Sequence, residues 1–408
     1  MKILICGINY FPELTGIGKY TGEMVEWLLA HGHCINVVTA PPYYPNWKVE
    51  KTYSSIKYKK ERINANLTVF RCPLWVPRIP TAIKRIIHLA SFALTSLPIL
   101  LCHVTWQPDI VFVVEPPLFV APGALLLSKL SGSKSWLHVQ DFEVDAAFEL
   151  GILRNDKLRR FIALSESALM RRFSIVSSIS YKMIERLNLK KINDEKVKFF
   201  PNWVDTEKIY PLNRPSIYRK ELSINDDVQV ILYSGNMGEK QGLDILIDSA
   251  KRLREKENLL FVICGNGAAR SRLQKASAGL NNIKWLELQP LEKLNDLLNL
   301  ADIHLLPQRA DAADLVMPSK LSGMLASGRP VIATSHERTE VASVVVGKGL
   351  VVPPENVDTL TDALVQLTDD VELRKRMGLE ARKYAEEYLN IDSIMKLFES
   401  NMEKLLSE

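Results

Sequence analysis

Val230–Asp244 reads VILYSGNMGEKQGLD, and the rest of the chain can be arranged around it. The apolar run Val230-Ile231-Leu232-Tyr233 has the length and composition of a buried strand. A loop with two glycines, Gly235 and Gly238, follows. From Leu243 the period changes, and Leu243, Leu246, Ile247, Ala250 and Leu253 fall on one helical face. A strand that feeds a glycine loop opening onto a helix brings backbone N–H groups close to an anion, and the helix start adds partial positive charge. Lys240 stands where its ammonium could reach a phosphate held there. The plainer alternative is an ordinary strand–helix turn with a solvated lysine.

Working outward, the 408 residues suggest two or three domains. The hydrophobic share of 47% and charged share of 24% are those of a folded globular chain. The five cysteines are scattered, with no CxxC or Cys/His spacing for a metal, and a reducing, cytoplasmic setting is the simplest inference. The opening MKILICGINYFP reads as a first core strand and not as a signal peptide. The net charge of +5 is unevenly spread. Residues 1–200 hold 26 Lys+Arg against 16 Asp+Glu, and residues 201–408 hold 26 against 31. A basic first half suggests contact with an anionic surface. No nucleic-acid motif accompanies it, so no nucleic-acid partner is expected.

Strands are expected at Ile3–Ile8, Ile35–Thr39, Leu67–Arg71, Ile110–Val114, Ser135–Val139, Ser174–Ser178 and Val197–Phe200, with helices between them. Thr15-Gly16-Ile17-Gly18 is a second glycine turn before a helix. Residues 48–62, rich in Lys and Tyr, read as exposed and irregular. Arg78–Trp106 carries about 16 largely apolar residues, interrupted by Pro98 and preceded by Lys84 and Arg85. That is short of the roughly 20 needed to span a bilayer. It reads as a buried domain helix or as a helix lying on a membrane with its cations on anionic headgroups. Residues 205–227 lack periodicity and are placed as a linker.

The second half repeats the alternation, with strands at 228–233, 259–264, 283–286, 303–306, 330–333 and 350–352. The chain is therefore expected to be α/β, with two Rossmann-like, doubly wound domains facing an interdomain cleft. The expected divisions are 1–204, the linker 205–227, 228–378, and C-terminal helices 379–408 that return to the first domain. Cys264-Gly265-Asn266-Gly267 is another close-approach turn after a strand. Met317-Pro318-Ser319-Lys320 suits a helix start beside a cation, a further anion site. Three such turns at C-terminal strand ends favour a phosphate-bearing ligand.

The segments GINYFPELTGIGKYTGEM, HVQD, FFPNWVD, YSGNMGEKQGLD, VICGNG and ADIHLLPQRADAADLVMPSKLSGMLASGRPVIAT cover nearly the whole chain in order. Together they resemble the retaining, family 4 glycosyltransferases of the GT-B fold. The opening, with TAPPYYPNW, more narrowly resembles colanic-acid biosynthesis glycosyltransferases, fucosyltransferases among them. The resemblance implies transfer of a hexosyl group, fucosyl included, from a nucleotide-sugar donor to a lipid-linked saccharide acceptor, without a metal or other cofactor. It implies exopolysaccharide or cell-surface polysaccharide synthesis at the inner face of the cell membrane. Lys240 would contact the donor diphosphate, Gly16 and Gly18 would face the transferring sugar, and Asn202 in Pro201–Asp205 would mark the hinge. Asp141 or His138 would orient the sugar or the acceptor hydroxyl. Gly235, Gly238, Gly265, Gly267, Ser319 and Lys320 complete the expected donor site. The family's glutamate pair, separated by seven residues, would fall on Leu315 and Gly323, neither of them acidic. Donor affinity is therefore expected to rest on the diphosphate, with Asp311 or Asp314 supplying ribose contacts. In the HVQD segment, Gln140 takes the histidine position if Asp141 is aligned, whereas aligning His138 displaces the aspartate. A nucleotide-sugar epimerase and a non-catalytic sugar-nucleotide-binding assembly subunit are the competing functions.

Overall fold

The computed structural model describes residues 1–13, 16–143, 156–238, 241–310 and 318–408. They form two compact units, 1–201 with 395–408, and 202–394.

The first unit is built on an eight-stranded sheet. Its strands are β1 (Lys2–Cys6), β2 (Cys34–Thr39), β3 (Lys59–Arg62), β4 (Leu67–Arg71), β5 (Ile110–Glu115), β6 (Lys134–Val139), β7 (Ile175–Ser178) and β8 (Val197–Phe199). Their order is β3-β4-β2-β1-β5-β6-β7-β8. Every pairing is parallel except β3 with β4. All six residues of β5, IVFVVE, are buried, because helices cover both faces of a parallel sheet. Helix α1 (Gly16–Ala30) buries Tyr20, Met24, Trp27 and Leu28. It ends before Gly32, whose φ of +81° suits a left-handed cap. Helix α2 (Ala82–Cys102) buries Phe92 and Leu100 in the core and packs on helix α3 (Ala121–Ser131). The last helix, Ile391–Ser407, brings Phe398 within 4.5–5.3 Å, ring to ring, of Phe200, Trp136 and Phe112.

β3 corrects the irregular reading of residues 48–62. Its sequence, KKER, has no apolar alternation because it is an antiparallel edge strand that exposes charge, which blocks further strand addition. Arg71 of β4 anchors it, donating Nε–H to Glu61 at 3.0 Å.

The second unit has a six-stranded, fully parallel sheet. It comprises β9 (Gln229–Ser234), β10 (Leu259–Cys264), β11 (Ile283–Leu286), β12 (Ile303–Leu306), β13 (Val331–Thr334) and β14 (Gly349–Val352). The order β11-β10-β9-β12-β13-β14 is the doubly wound order, with the chain reversing direction of growth between β9 and β12. Residues 205–227, expected as a linker, instead pack into this unit. Ile209 and Tyr218 join its buried clusters, and Ile217–Glu221 is a short helix. Apolar spacing missed them because the segment is held largely by side-chain hydrogen bonds, such as Asn299 and Asp296 accepting the N–H groups of Leu212 and Ile217. The helix Val371–Tyr388 also belongs here, with Ala381 and Ala385 buried beside Leu325 and Ala326.

Candidate functional site

In open α/β sheets, ligands bind beyond the C-terminal strand ends where the winding reverses. In the second unit this point lies between β9 and β12. The chain leaves β9 through Gly235–Gly238, and this loop rests on the loop after β10. Gly235 and Met237 donate N–H to the carbonyls of Cys264 (3.0 Å) and Asn266 (2.8 Å), and Ala269 donates to Met237 O (2.9 Å). A Cβ on Gly265 would stand 2.0 Å from Gly235 O, and one on Gly267 would stand 2.5 Å from Met237 O. These two glycines therefore serve loop-on-loop contact first. The Tyr233 hydroxyl donates to Asn236 O at 2.5 Å and fixes the loop from below.

Lys320 opens the helix Lys320–Ala326, after Ser319. Its Nζ lies 4.3 Å from the centre of the Tyr233 ring and 3.8 Å from where a Cβ on Gly235 would be. Burial lowers its pKa to about 7, and no carboxylate offsets that among the described residues. The result is a cation of weakened proton affinity leaning on a glycine loop at the switch point. A ring face attracts such a cation but does not neutralise it. Gly238 lies on the same loop, where a Cβ would meet Gln241 Oε1 at 2.6 Å. Gly323, one of the two positions at which the resemblance implies a glutamate, would bring a Cβ within 3.3 Å of Leu298 Cδ1. Lys240, Thr15, Asp311, Asp314 and Leu315 lie outside the described residues.

In the first unit the winding reverses between β1 and β5. Gly16 begins α1 with φ +58° and open space on its Cβ side. Gly18 is different, since a Cβ there would stand 2.8 Å from Glu13 Cβ. Glu13 is buried and accepts N–H groups from Tyr43 (2.9 Å) and Tyr44 (2.8 Å) and the Asn9 amide (2.7 Å). Burial raises its pKa despite those donors. Glu13 thus braces the glycine turn, which no local spacing announced.

Carboxyl groups gather at the end of β5 and just beyond β6. Glu115 is fully buried, and neither of its oxygens accepts a hydrogen bond among the described residues. Burial pushes its pKa well up, and Glu143 adds to the shift. Glu143 accepts the Leu118 N–H at 3.0 Å and is pushed up to about 7, again by burial. Asp141 sits half-buried at the end of β6 and raises both neighbours. Glu166 pairs with Lys190 at 2.5 Å. None of Glu115, Glu143 and Glu166 is singled out in the sequence reading; only Glu115 carries a local mark, the Glu115-Pro116-Pro117 run that ends its strand.

His138 does not line an open site. It is 4% exposed, packed 5.8 Å from the Phe112 ring and 4.9 Å from Phe200. Ser177 Oγ lies 2.9 Å from its Nδ1 and Gln140 Nε2 lies 3.1 Å from its Nε2. Burial lowers its pKa to about 3, so it is neutral. Its place is positional, with Gln140 and Asp141 extending beyond it. Asn202 is half-buried at the first residue of the second unit. Among the described residues no group of three His, Cys, Asp or Glu side chains could hold a metal.

Residues 15–203 match the family "Glycosyl transferase 4-like domain", and residues 216–384 match "Glycosyl transferases group 1". WcaI of Escherichia coli (strain K12), described as a colanic acid biosynthesis glycosyl transferase, is 42% identical, over 98% of each chain. Among solved structures, sucrose-phosphate synthase of Thermosynechococcus elongatus superposes with a TM-score of 0.75 at 14% identity, over 100% of this chain and 99% of that one. HepE of Anabaena, in complex with UDP and glucose, superposes with a TM-score of 0.70 at 13% identity, over 99% and 100%.

Proposed function

The chain is a glycosyltransferase of the two-domain GT-B class, close to those of colanic acid biosynthesis, and on that premise we propose that it moves a hexosyl group, fucosyl among the candidates, from a nucleotide-diphosphate sugar to a lipid-linked saccharide with retained anomeric configuration. The acceptor oxygen forms the new bond to the anomeric carbon as the bond from that carbon to the diphosphate oxygen breaks. The acceptor proton passes to the departing diphosphate, so no strong side-chain base is needed. The residues then have to position the sugar and offset the negative charge that grows on the leaving group.

One observation carries the donor assignment: the Lys320 ammonium, weakened by burial, leans on Gly235 with no anionic partner among the described residues. An arriving diphosphate supplies that partner. HepE, which shares the fold, was solved with UDP and glucose, and this supports a nucleotide donor. Lys240 is proposed to grip the diphosphate from the other side, and Asp141 to orient the sugar or acceptor hydroxyl. Asp311 or Asp314 would meet the ribose.

Charge-assisted hydrogen bonds contribute about 1.5–3 kcal/mol. Lys320→Ala should therefore weaken nucleoside diphosphate binding by roughly tenfold or more and leave nucleoside binding nearly unchanged. Because its pKa is near 7, Lys320 is largely neutral at pH 8 and should take up a proton as the diphosphate binds. Titration calorimetry in buffers of different ionisation enthalpy reads both effects. Equal losses for diphosphate and nucleoside would refute the assignment, and no proton uptake would show that Lys320 is already charged before the donor arrives.

We further propose peripheral attachment to the cytoplasmic face of the membrane through α2. The helical run Ile83–Cys102 has 20 residues, longer than the apolar stretch read from the sequence, and so is long and apolar enough to cross a bilayer by length and composition. It nevertheless packs on the first sheet through Phe92 and Leu100, while Ile83 (67% exposed), Ile87 and Leu94 (72%) are left uncovered. An uncovered apolar side with cations at the helix start supports a helix lying on the membrane.

A further inference from the structure

Beside the uncovered side of α2 the first unit has a groove of about 560 Å³. Its walls come from three parts of the chain: Trp47 and Ile56 from the loop before β3, Trp75 and Val76 after β4, and Ser91 and Thr95 from α2. The polar groups on the α2 side are already used within the protein. Ser91 Oγ accepts the Trp75 N–H at 3.1 Å, Thr95 Oγ1 donates to Pro73 O at 2.6 Å, and the Tyr58 hydroxyl donates to Thr95 O at 2.9 Å. What is left for a ligand is mainly indole and aliphatic surface, with Ile56 80% exposed and Trp75 44% exposed. Such a lining suits hydrocarbon, and on the α2 side it leaves few free polar groups for the hydroxyls of a sugar.

The rim is cationic. Lys48 and Arg78 line the groove, and the Arg85 guanidinium lies 5.4 Å from the Trp47 ring centre. Between Glu61 and Asp109 the sequence contains no Asp or Glu and five cations, Arg62, Arg71, Arg78, Lys84 and Arg85. The Arg71 guanidinium is spent on Glu61 and two backbone carbonyls, Ala40 O and Phe11 O. Arg78, Lys84 and Arg85 are exposed at the groove and at the start of α2. An apolar slot with cations at its mouth matches a molecule with a chain below a negative phosphate.

We propose that this groove is a seat for one anionic phospholipid, its acyl chain lying against Trp47, Ile56, Trp75 and Val76 and its phosphate held by Arg78, Arg85 and Lys48. The proposal rests on the membrane attachment inferred above and adds a defined, saturable lipid site to it. The uncovered side of α2 supplies general contact with the bilayer, and the groove supplies register.

The two can be separated with the full chain. A short-chain phosphatidylglycerol, brominated on its acyl chains and kept below the concentration at which it forms micelles, is titrated while tryptophan fluorescence is followed. Flotation with phosphatidylcholine vesicles, with and without phosphatidylglycerol, is measured in parallel. The seat predicts saturable quenching, lost in Trp47→Phe/Trp75→Phe. It predicts binding roughly fivefold weaker in Arg78→Ala. Brominated phosphatidylcholine of the same chain length should bind several-fold more weakly, and glycerol phosphate, which lacks a chain, should not compete. Flotation with anionic vesicles but no saturable quenching would overturn the seat and leave attachment standing. Saturable quenching without flotation would support the seat and overturn attachment. Absence of both would overturn both. Undiminished quenching in the double tryptophan variant would place the chain elsewhere and overturn the seat.

Discussion

Among single residues, the most informative are polar groups buried where the strands of the first unit end. His138 and Glu115 are both uncharged for the same cause, removal from water, and they drive stability in opposite directions with pH. His138 has a folded pKa of about 3 against an ordinary value near 6.5. Between these values the unfolded chain binds the extra proton, so the stability His138 contributes is complete above about pH 6.5 and is lost as pH falls toward 3. His138→Asn should flatten the acid limb of a urea-midpoint profile between pH 6.5 and 4, at some cost in midpoint at pH 7.5. Glu115 behaves inversely. Its raised pKa means that the folded state holds the proton, so stability falls as pH rises above the ordinary carboxyl range. Glu115→Gln, which keeps the shape and cannot ionise, should raise the melting temperature more at pH 8 than at pH 5. An equal shift at both values would show that Glu115 is not held protonated.

Glycine has two distinct uses at the level of the elements. Gly267, at φ +153°, is where one loop's backbone touches the other, and its Cβ would collide with Met237. Gly16, at φ +58°, needs its conformation but has room beside it. Gly16→Ala should therefore cost about 1 kcal/mol, the left-handed penalty alone. Gly267→Ala adds a backbone clash and should cost more than about 2 kcal/mol, with faster hydrogen exchange in the Gly235–Gly238 loop. Equal costs in chemical denaturation would show that the loops do not touch as described. β3 makes a related point, since its charge is what an exposed edge requires and is also what conceals the strand from a periodicity reading.

At the scale of the molecule there are two sheets with separate cores, and the chain end returns to the first. Phe398 stacks on Phe200 with rings 13° apart, and it meets Phe112 and Trp136 edge-on. Truncating a buried aromatic of this kind costs about 3–5 kcal/mol. Phe398→Ala should raise hydrogen exchange throughout β5–β8 and leave β9–β14 unchanged. An equal rise in both sheets would mean that the units do not unfold separately.

Much of this was legible without coordinates. The apolar runs, the glycine turns after them and the change of period fixed two parallel, doubly wound sheets, because buried strands must be apolar throughout and chain reversals need glycine. Strands Leu67–Arg71, Leu259–Cys264, Ile283–Leu286 and Ile303–Leu306 stand where those runs placed them. The ordered motifs carried the family for the same local reason. What tertiary structure alone decided are relations between residues far apart in sequence. Glu13 lies across Gly18, Lys320 over Tyr233, and His138 behind Phe112 and Phe200. Whether a His or Lys is charged depends on how much water its neighbours exclude, and those neighbours come from other elements. Spacing along the chain records which face a residue shares. It does not record what the opposite element places against that face.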